Sequence, residues 1–343
     1  MDIDVVTTAN PAAWAAALER AGWHDFYHEC WYHQLAEQRG EGRAELVVVA
    51  HAGRTVAVPL LMRPIPGTQL QDATSVYGYA GPAGVFEGLD TEACASMTAA
   101  LRERLVAART VCLFSRLHPL RDQAAFLAGA GKVVHAGTTV SIDLGLPSEQ
   151  QWSAYRADNR NRINRLRREG YVCRRHDGAD VGTFIELYES TMRRVSAKAY
   201  YVFPREYYET LVDPQRGDLE LWIVTDPEGV PAAAGLFSVR GDIVQYHLSG
   251  AGDAYRKQAP TTLLLDEVRR SANERGATRL HLGGGLGGGE DSLFAFKSGF
   301  GDGRHAFCVW QWILDPASYR ELEGRRLQRE PTPGSFFPSY RAP

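Results

Sequence analysis

No two cysteines are spaced C-x-x-C, and the five present, Cys30, Cys94, Cys112, Cys173 and Cys308, are odd in number and scattered. That excludes a zinc ribbon and a disulfide framework, expects no metal, and fits a reducing cytoplasm. No stretch approaches the roughly 18 to 20 apolar residues of a membrane span. The N-terminus, MDIDVVTTANPAAW, carries two acids and no apolar signal region. Secretion and spanning are therefore not expected, which leaves at most a peripheral membrane contact. Charge of one sign is lacking too: 38 Lys and Arg stand against 41 Asp and Glu, a net charge of -3. A protein that coats duplex DNA through its overall charge is excluded, although a local basic patch is not. No sustained heptad stretch occurs, so no coiled-coil insertion is expected. What remains, 44% hydrophobic and 23% charged residues over 343 positions, is an ordinary globular chain, longer than a typical domain of roughly 100 to 200 residues. Two lobes are expected, in a monomer.

The pattern along the chain is α/β, with layered α+β lobes. The first lobe, residues 1–147, opens with a helix at Pro11 to Ala21 and a second, ring-rich helix in WHDFYHECWYHQLAEQRG. β-Branched runs at Glu45 to Ala50 and Thr55 to Met62 flank His51-Ala-Gly-Arg54, which reads as a hairpin turn. A helix at Thr91 to Ala108 and a buried strand at Val111 to Ser115 follow. The second lobe, residues 148–317, repeats the order: strands Glu220 to Thr225, Pro231 to Val239 and Asp242 to Ser249, helix Pro260 to Arg275, strand Arg279 to Leu282. ELVVVAHAGRTVAVPLLM and ELWIVTDPEGVPAAAGLF match almost residue for residue in strand and turn length. Each lobe is thus expected to be a mixed, mostly antiparallel sheet flanked by helices. Residues 318–343 are expected to pack back on the first lobe through Phe336, Phe337 and Tyr340.

Three constellations are candidates for chemistry. A helix from about Glu149 to Glu169 carries Arg156, Arg160, Arg162, Arg165, Arg167 and Arg168, six arginines in thirteen residues. Trp152, Tyr155, Asn159, Ile163 and Leu166 form its inward stripe at 3.6 residues per turn. The arginines left outside suit phosphate, because the planar guanidinium makes two parallel bonds; a solvated face with ion pairs is the competing explanation. Next, strand Arg279 to Leu282 runs into Gly283-Gly-Gly-Leu-Gly-Gly-Gly289, then Glu290, the expected N-cap Asp291, and the helical turn Ser292-Leu-Phe-Ala-Phe-Lys-Ser298. These glycines allow close approach to a ligand, or a mobile strand exit that presents Lys297, whose cation suits an oxyanion or a phosphate. Last, hairpin, central strand, helix and closing strand come in the order of the GNAT N-acyltransferase fold. Yet the turn that cradles a pyrophosphate in that fold reads Tyr255-Arg-Lys-Gln-Ala-Pro-Thr261 here, without glycine and with a proline that lacks an amide. Arg256 and Lys257 remain able to meet a phosphate. His24, His28 and His33 lack the H-E-x-x-H pattern and are weak metal candidates. Tyr77 and Tyr79 stand beside glycines at a strand end, where a ligand cleft and a packed hairpin explain them equally well.

SLFAFKSGFG with LGGG before it, the arginine helix, Tyr188-Glu-Ser-Thr-Met-Arg-Arg194 followed by Tyr200-Tyr-Val-Phe203, and the strand VQYHLSGA together resemble the Fem-type aminoacyltransferases of peptidoglycan bridges. The resemblance implies two tandem GNAT-like lobes and transfer of an aminoacyl group from aminoacyl-tRNA to an amine. It implies no bound cofactor, the tRNA being a co-substrate. Lys297, after Phe296, matches the family's lysine at the reacting end of the tRNA. Tyr246 matches the tyrosine that binds the acceptor's phosphates, and Arg205 and Tyr208 lie where an arginine and a tyrosine serve the same task. Arg156, Arg160, Arg165 and Arg168 are the expected tRNA contacts, with Arg256 and Lys257. Around Trp31 to Glu37, where some members carry a substrate-binding lysine, His33 is the nearest basic side chain. The acceptor is accordingly expected to be a cell-wall precursor or a smaller, peptide-like molecule; acyl-CoA is the alternative donor.

Overall fold

Strand-forming runs and capped helices alternate along the whole chain, and a computed structural model describes residues 1–195, 201–327 and 336–342. Tyr200, and the proline-rich stretch before Phe336, lie outside the described residues. The chain divides into two compact units, Met1–Ala136 with Ala306–Pro343, and Gly137–His305. Among the described residues no helix is long and apolar enough to cross a membrane.

The elements in chain order are β1 (Asp2–Thr7), α1 (Pro11–Ala21), α2 (Cys30–Gln38), β2 (Arg43–His51), β3 (Arg54–Pro64), β4 (Gln71–Thr74), α3 (Thr91–Ala107), β5 (Thr110–Arg116), α4 (Gln123–Phe126) and β6 (Lys132–Asp143). There follow α5 (Ser148–Ser153), α6 (Ala157–Arg168), β7 (Val172–His176), α7 (Val181–Arg194), α8 (Arg205–Leu211), β8 (Leu219–Thr225), β9 (Pro231–Arg240), β10 (Ile243–Ala251), α9 (Thr261–Glu274), β11 (Arg279–Gly283), α10 (Ser292–Lys297), β12 (Gly303–Ile313) and α11 (Pro316–Leu327).

In the first unit the strands lie in the order β1-β2-β3-β4-β5-β12. Neighbours are antiparallel except β4 and β5, which run parallel. The core joins Val47, Val49, Val56, Val58 and Leu60 of the hairpin to Met97, Leu101 and Leu105 of α3. Asp90 starts α3 by accepting from Ala93 N–H, as a capping carboxylate should. In the second unit the order is β7-β8-β9-β10-β11-β6. Here too one pair, β10 and β11, is parallel and the others are antiparallel. Val244, Leu280, Leu282 and Phe237 pack against Leu263, Leu264 and Val268 of α9.

Each unit therefore has an antiparallel run, one parallel pair and an antiparallel closing strand. The matched hairpins occupy the same places, second and third in each order. The unit limits differ from the expected 147/148 division because the closing strands are exchanged along the chain. Val140–Asp143 of β6 pairs with Arg279–Gly283 in the second unit, and Val309–Ile313 of β12 pairs with Cys112–Arg116 in the first.

Candidate functional site

In the second unit the parallel pair is short, only Ile243–Gln245 against Arg279–His281. Register shifts follow on both strands, between Tyr246 and Leu248 and between His281 and Gly283. Beyond that point the two strands part, and Tyr246 and the glycine run stand at the opening. Crevices beyond the carboxyl ends of parallel strands are where open α/β sheets take ligands.

The glycine run is a tied loop, which corrects the expectation of a mobile strand exit. Asp291 caps α10 by accepting from Phe294 N–H at 2.9 Å, as expected, and its other oxygen accepts from Leu286 N–H, also at 2.9 Å. Gly288 and Gly289 N–H donate to Gly285 and Leu286 carbonyls at 3.3 and 3.1 Å. Those amides are therefore spent inside the loop and cradle no phosphate. Glycine is required for close approach: a Cβ on Gly285 would lie 2.1 Å from Gly289 O, and one on Gly137 of β6 would lie 2.2 Å from Gly288 O.

Lys297 ends α10 and is buried. Its Nζ donates to Gly284 O at 2.8 Å and lies 5.5 Å from the centroid of the Tyr246 ring. Burial lowers its pKa to about 8, while Asp291 pulls it upward. Phe296, before it, packs edge-to-face on Phe300 with centroids 5.2 Å apart. Tyr246 stacks on Phe237 and its hydroxyl bonds to Ser249. Burial pushes its phenol up to about 12, against the opposing Ser249 bond. Lys297, Phe296 and Tyr246 thus come together at one opening.

The arginine segment is broken where one helix was expected. Arg156 is extended (φ -56, ψ 144) between α5 and α6. Its N–H and the buried Asn159 Nδ2 both donate to Gly299 O at 3.0 Å, fastening α6 to the residues just after Lys297. Tyr155, Asn159, Ile163 and Leu166 are buried and Trp152 partly so, as the stripe requires. The guanidiniums divide by task. Arg167 donates to Asp266 at 2.7 Å and also to Glu267, and Arg160 donates to Ser153 O at 2.9 Å and to Tyr155 O. These two are held by the fold. Arg156, Arg162 and Arg165 meet carboxylates only at 3.8, 3.9 and 3.7 Å, and Arg168 is exposed.

Other expected residues lie elsewhere. Tyr208 is fully buried among Phe184, Tyr188, Phe203 and Tyr207, its hydroxyl accepting from Phe203 N–H at 3.3 Å. It is a packing residue, and its hydroxyl faces no solvent. Arg205 is exposed and pairs with Glu209 at 2.7 Å along its own helix. His33 is sealed under Trp14, with Nδ1 donating to Glu29 O at 3.0 Å. Burial lowers its pKa to about 4, so it is neutral at pH 7 and supplies no cation to an acceptor. His24 meets the Glu29 carboxylate at 3.0 Å and His33 the Glu29 carbonyl, whereas His28 meets Gly81 O at 2.8 Å. Tyr77 is half-buried, its carbonyl accepting from Tyr32 hydroxyl at 3.1 Å.

At the turn before α9, Arg256 and Lys257 are exposed. The amides of Arg256, Gln258, Ala259 and Thr262 donate to Asp253, Tyr255, Tyr255 and Ala259 carbonyls, and Pro260 has none. Ala259 sits at φ 53, a left-handed position that favours glycine. Sequence reasoning missed the Ser249 hydroxyl and the Gly284 carbonyl. No local signal could have found them, because a bulge and a tied loop bring them in.

Comparison with known proteins agrees with this architecture. An acetyltransferase (GNAT) domain matches residues 153–298. The chain is similar to the crystal structure of FemX, with a TM-score of 0.73 and 16% identity over 94% of this chain and 99% of that one. It is also similar to L-PGS from Bacillus licheniformis, with a TM-score of 0.56 and 15% identity over 89% and 92%. The C-terminal domain of a putative lysylphosphatidylglycerol synthetase from Agrobacterium fabrum gives a TM-score of 0.56 and 13% identity over 91% and 97%. No curated protein sequence matches the chain. At these identities the likeness is one of fold.

Proposed function

We propose that this chain, with the tandem GNAT fold of FemX, transfers an amino acid from aminoacyl-tRNA to an amine of a cell-wall precursor or peptide-like molecule. The observation that carries the reading is Lys297, an ammonium buried at a strand opening whose one hydrogen-bond partner among the described residues is Gly284 O. An ammonium has three hydrogens, and two of them remain for a substrate.

In the reaction the acceptor amine attacks the ester carbonyl carbon, and a C–N bond forms as the carbonyl oxygen becomes an oxyanion. Lys297 donates to that oxyanion, where charge develops and water is scarce. Collapse breaks the bond to the ribose oxygen, which takes up the proton that the amine gives up. The Phe296 ring helps fix the last turn of α10, and Tyr246 lines the opening. Arg156, Arg162, Arg165 and Arg168, left with weak partners or none among the described residues, are the side chains available to tRNA phosphates, and Arg256 and Lys257 extend the charge. The reading needs no bound cofactor or metal, and the reaction belongs in the cytoplasm, where charged tRNA is.

The GNAT match favours acyl-CoA as a second donor. Against it stands the turn before α9, where the amides of Arg256, Gln258, Ala259 and Thr262 are internally bonded and Pro260 has none. The experiment incubates the protein with total tRNA charged with labelled amino acids and a panel of amines. Label should leave the RNA only when enzyme and acceptor are both present. Turnover of an acyl-CoA, with no transfer from any charged tRNA, overturns the proposal.

A further inference from the structure

The tied glycine loop and the start of α10 carry two leucines into solvent beside the Lys297 ammonium. Leu286 is 68% exposed and Leu293 41%. One exposed leucine is ordinary on a protein surface, but these two are gathered by a single side chain. The Asp291 carboxylate accepts from Leu286 N–H and Phe294 N–H, and the Leu293 N–H bears on it as well. The loop beneath them is tightly packed, since a Cβ on Gly285 would run into both Gly289 O and the Asp291 carboxylate. Both leucines also stand next to the reacting end. Leu293 precedes Lys297 by four residues, so the two share one face of α10 with Cβ atoms roughly 5 to 6 Å apart. Leu286 lies two residues after Gly284, whose carbonyl accepts from Lys297 Nζ at 2.8 Å.

In the transfer, that ammonium meets the ester carbonyl oxygen, and the donor's α-carbon is bonded directly to the same carbonyl carbon. The donor's side chain therefore begins a few bond lengths from Nζ, within reach of a leucine one helical turn away. Leucine offers it apolar surface and no hydrogen bond, so a charged side chain would lose water there without compensation. A cationic one would also meet like charge from Lys297 and from Arg304. The Arg304 guanidinium lies over the Phe294 ring, Cζ 5.9 Å from the centroid, and is fixed by bonds to Gly301 O and Gly303 O at 2.8 and 3.0 Å. We propose that Leu286 and Leu293 form an apolar lip that selects the donor, favouring aminoacyl groups with aliphatic side chains of the leucine, isoleucine and valine class over charged ones. The inference rests on the aminoacyl-transfer reading of Lys297 and adds to it the class of amino acid moved.

The test titrates the full chain with labelled RNA minihelices of the tRNA acceptor stem, followed by fluorescence anisotropy. Their terminal 3′-amino-3′-deoxyadenosine carries leucine, glutamate or lysine through a stable amide, and a fourth minihelix carries no amino acid. The leucyl minihelix should bind about tenfold more tightly than the glutamyl and lysyl ones, the low end of what an apolar pocket discriminates. Leu286→Asn combined with Leu293→Asn should remove that preference and leave the affinity for the uncharged minihelix as it was. Val230→Asn, at a position 50% exposed in another turn of the same unit, should keep the preference. Thermal melting shows that each variant is folded. The inference is overturned if the three charged minihelices bind equally or if the preference survives the double substitution. It is overturned too if that substitution weakens the uncharged minihelix as much as the leucyl one, which would make the terminal adenosine the occupant. A chain that binds no minihelix, charged or not, loses the tRNA reading and this inference with it, whereas equal binding of the three charged ones removes the inference alone.

Discussion

The Lys297 ammonium gives one hydrogen to Gly284 O and faces the Tyr246 ring, and burying a charge costs stability, a cost that the proposed oxyanion role would account for. Lys297→Met should lower transfer by about 10²- to 10³-fold, the cost of losing one oxyanion donor, with the far-UV spectrum unchanged; steady-state rates on charged tRNA check it. The pH dependence follows from the same group. Its pKa of about 8 means that the proton is lost as pH rises through that value, so activity should fall on the alkaline side of about 8 while Tyr246, at about 12, stays protonated. For stability the sign is opposite. The folded-state pKa lies below the roughly 10.4 of an unfolded lysine, so between the two the unfolded chain binds more protons and stability rises with pH. Wild type should therefore gain in melting temperature relative to Lys297→Met between about pH 7 and 9.5, and a constant gap would contradict the burial argument.

At the scale of one helix, α6 mixes two kinds of arginine that a charge count cannot separate. Arg167 reaches the buried Asp266 at 2.7 Å, whereas Arg168 is exposed. Arg167→Ala should cost about 1 to 3 kcal/mol of folding stability, measured by urea unfolding, with a modest effect on RNA. Arg168→Ala with Arg162→Ala should leave stability within about 0.5 kcal/mol. That double variant should reduce the salt slope of tRNA binding by about one for each phosphate that is no longer neutralised. Which elements were legible follows from the same distinction between local and distant causes. α1 and the hairpins β2–β3 and β8–β9 could be read closely because capping, turn glycines and β-branched runs are local signals. The four residues of β4 carry no periodicity. The break at Arg156 is imposed by Gly299, some 140 residues onward in the chain. Within the candidate site Lys297 and Tyr246 were legible from motifs, whereas Tyr208 reads in sequence like any other tyrosine and is consigned to packing only by its four aromatic neighbours. The glycine run looked mobile because nothing in its composition says that Asp291 accepts an amide from each side of itself.

Over the whole chain, the first unit is made from both ends of the sequence, and its last described residues close it. Asp72 on β4 is fully buried and receives Arg63 Nε at 2.7 Å, Arg341 Nε at 2.5 Å and the Tyr340 hydroxyl at 3.1 Å. Arg341 also donates to Pro64 O at 2.8 Å, and the Tyr340 hydroxyl lies 3.3 Å from Cys112 Sγ. Two of the three groups that compensate the carboxylate therefore come from residues 340 and 341. Phe337 and Tyr340 pack on Tyr319 of α11 beside them. Ending the chain at Leu327 would leave a buried carboxylate with one guanidinium, and breaking a buried pair costs about 3 to 5 kcal/mol. The truncated protein should melt several degrees lower. Cys112 gives an independent readout, because burial holds its thiol up at about 12 and a buried, protonated thiol should react slowly in the intact chain. Removing Tyr340 opens that thiol to solvent, so alkylation of Cys112, followed by peptide mass, should be fast in the truncated chain and slow in the full one. Equal labelling rates and equal melting temperatures would mean that the terminal residues rest on the first unit without holding it together.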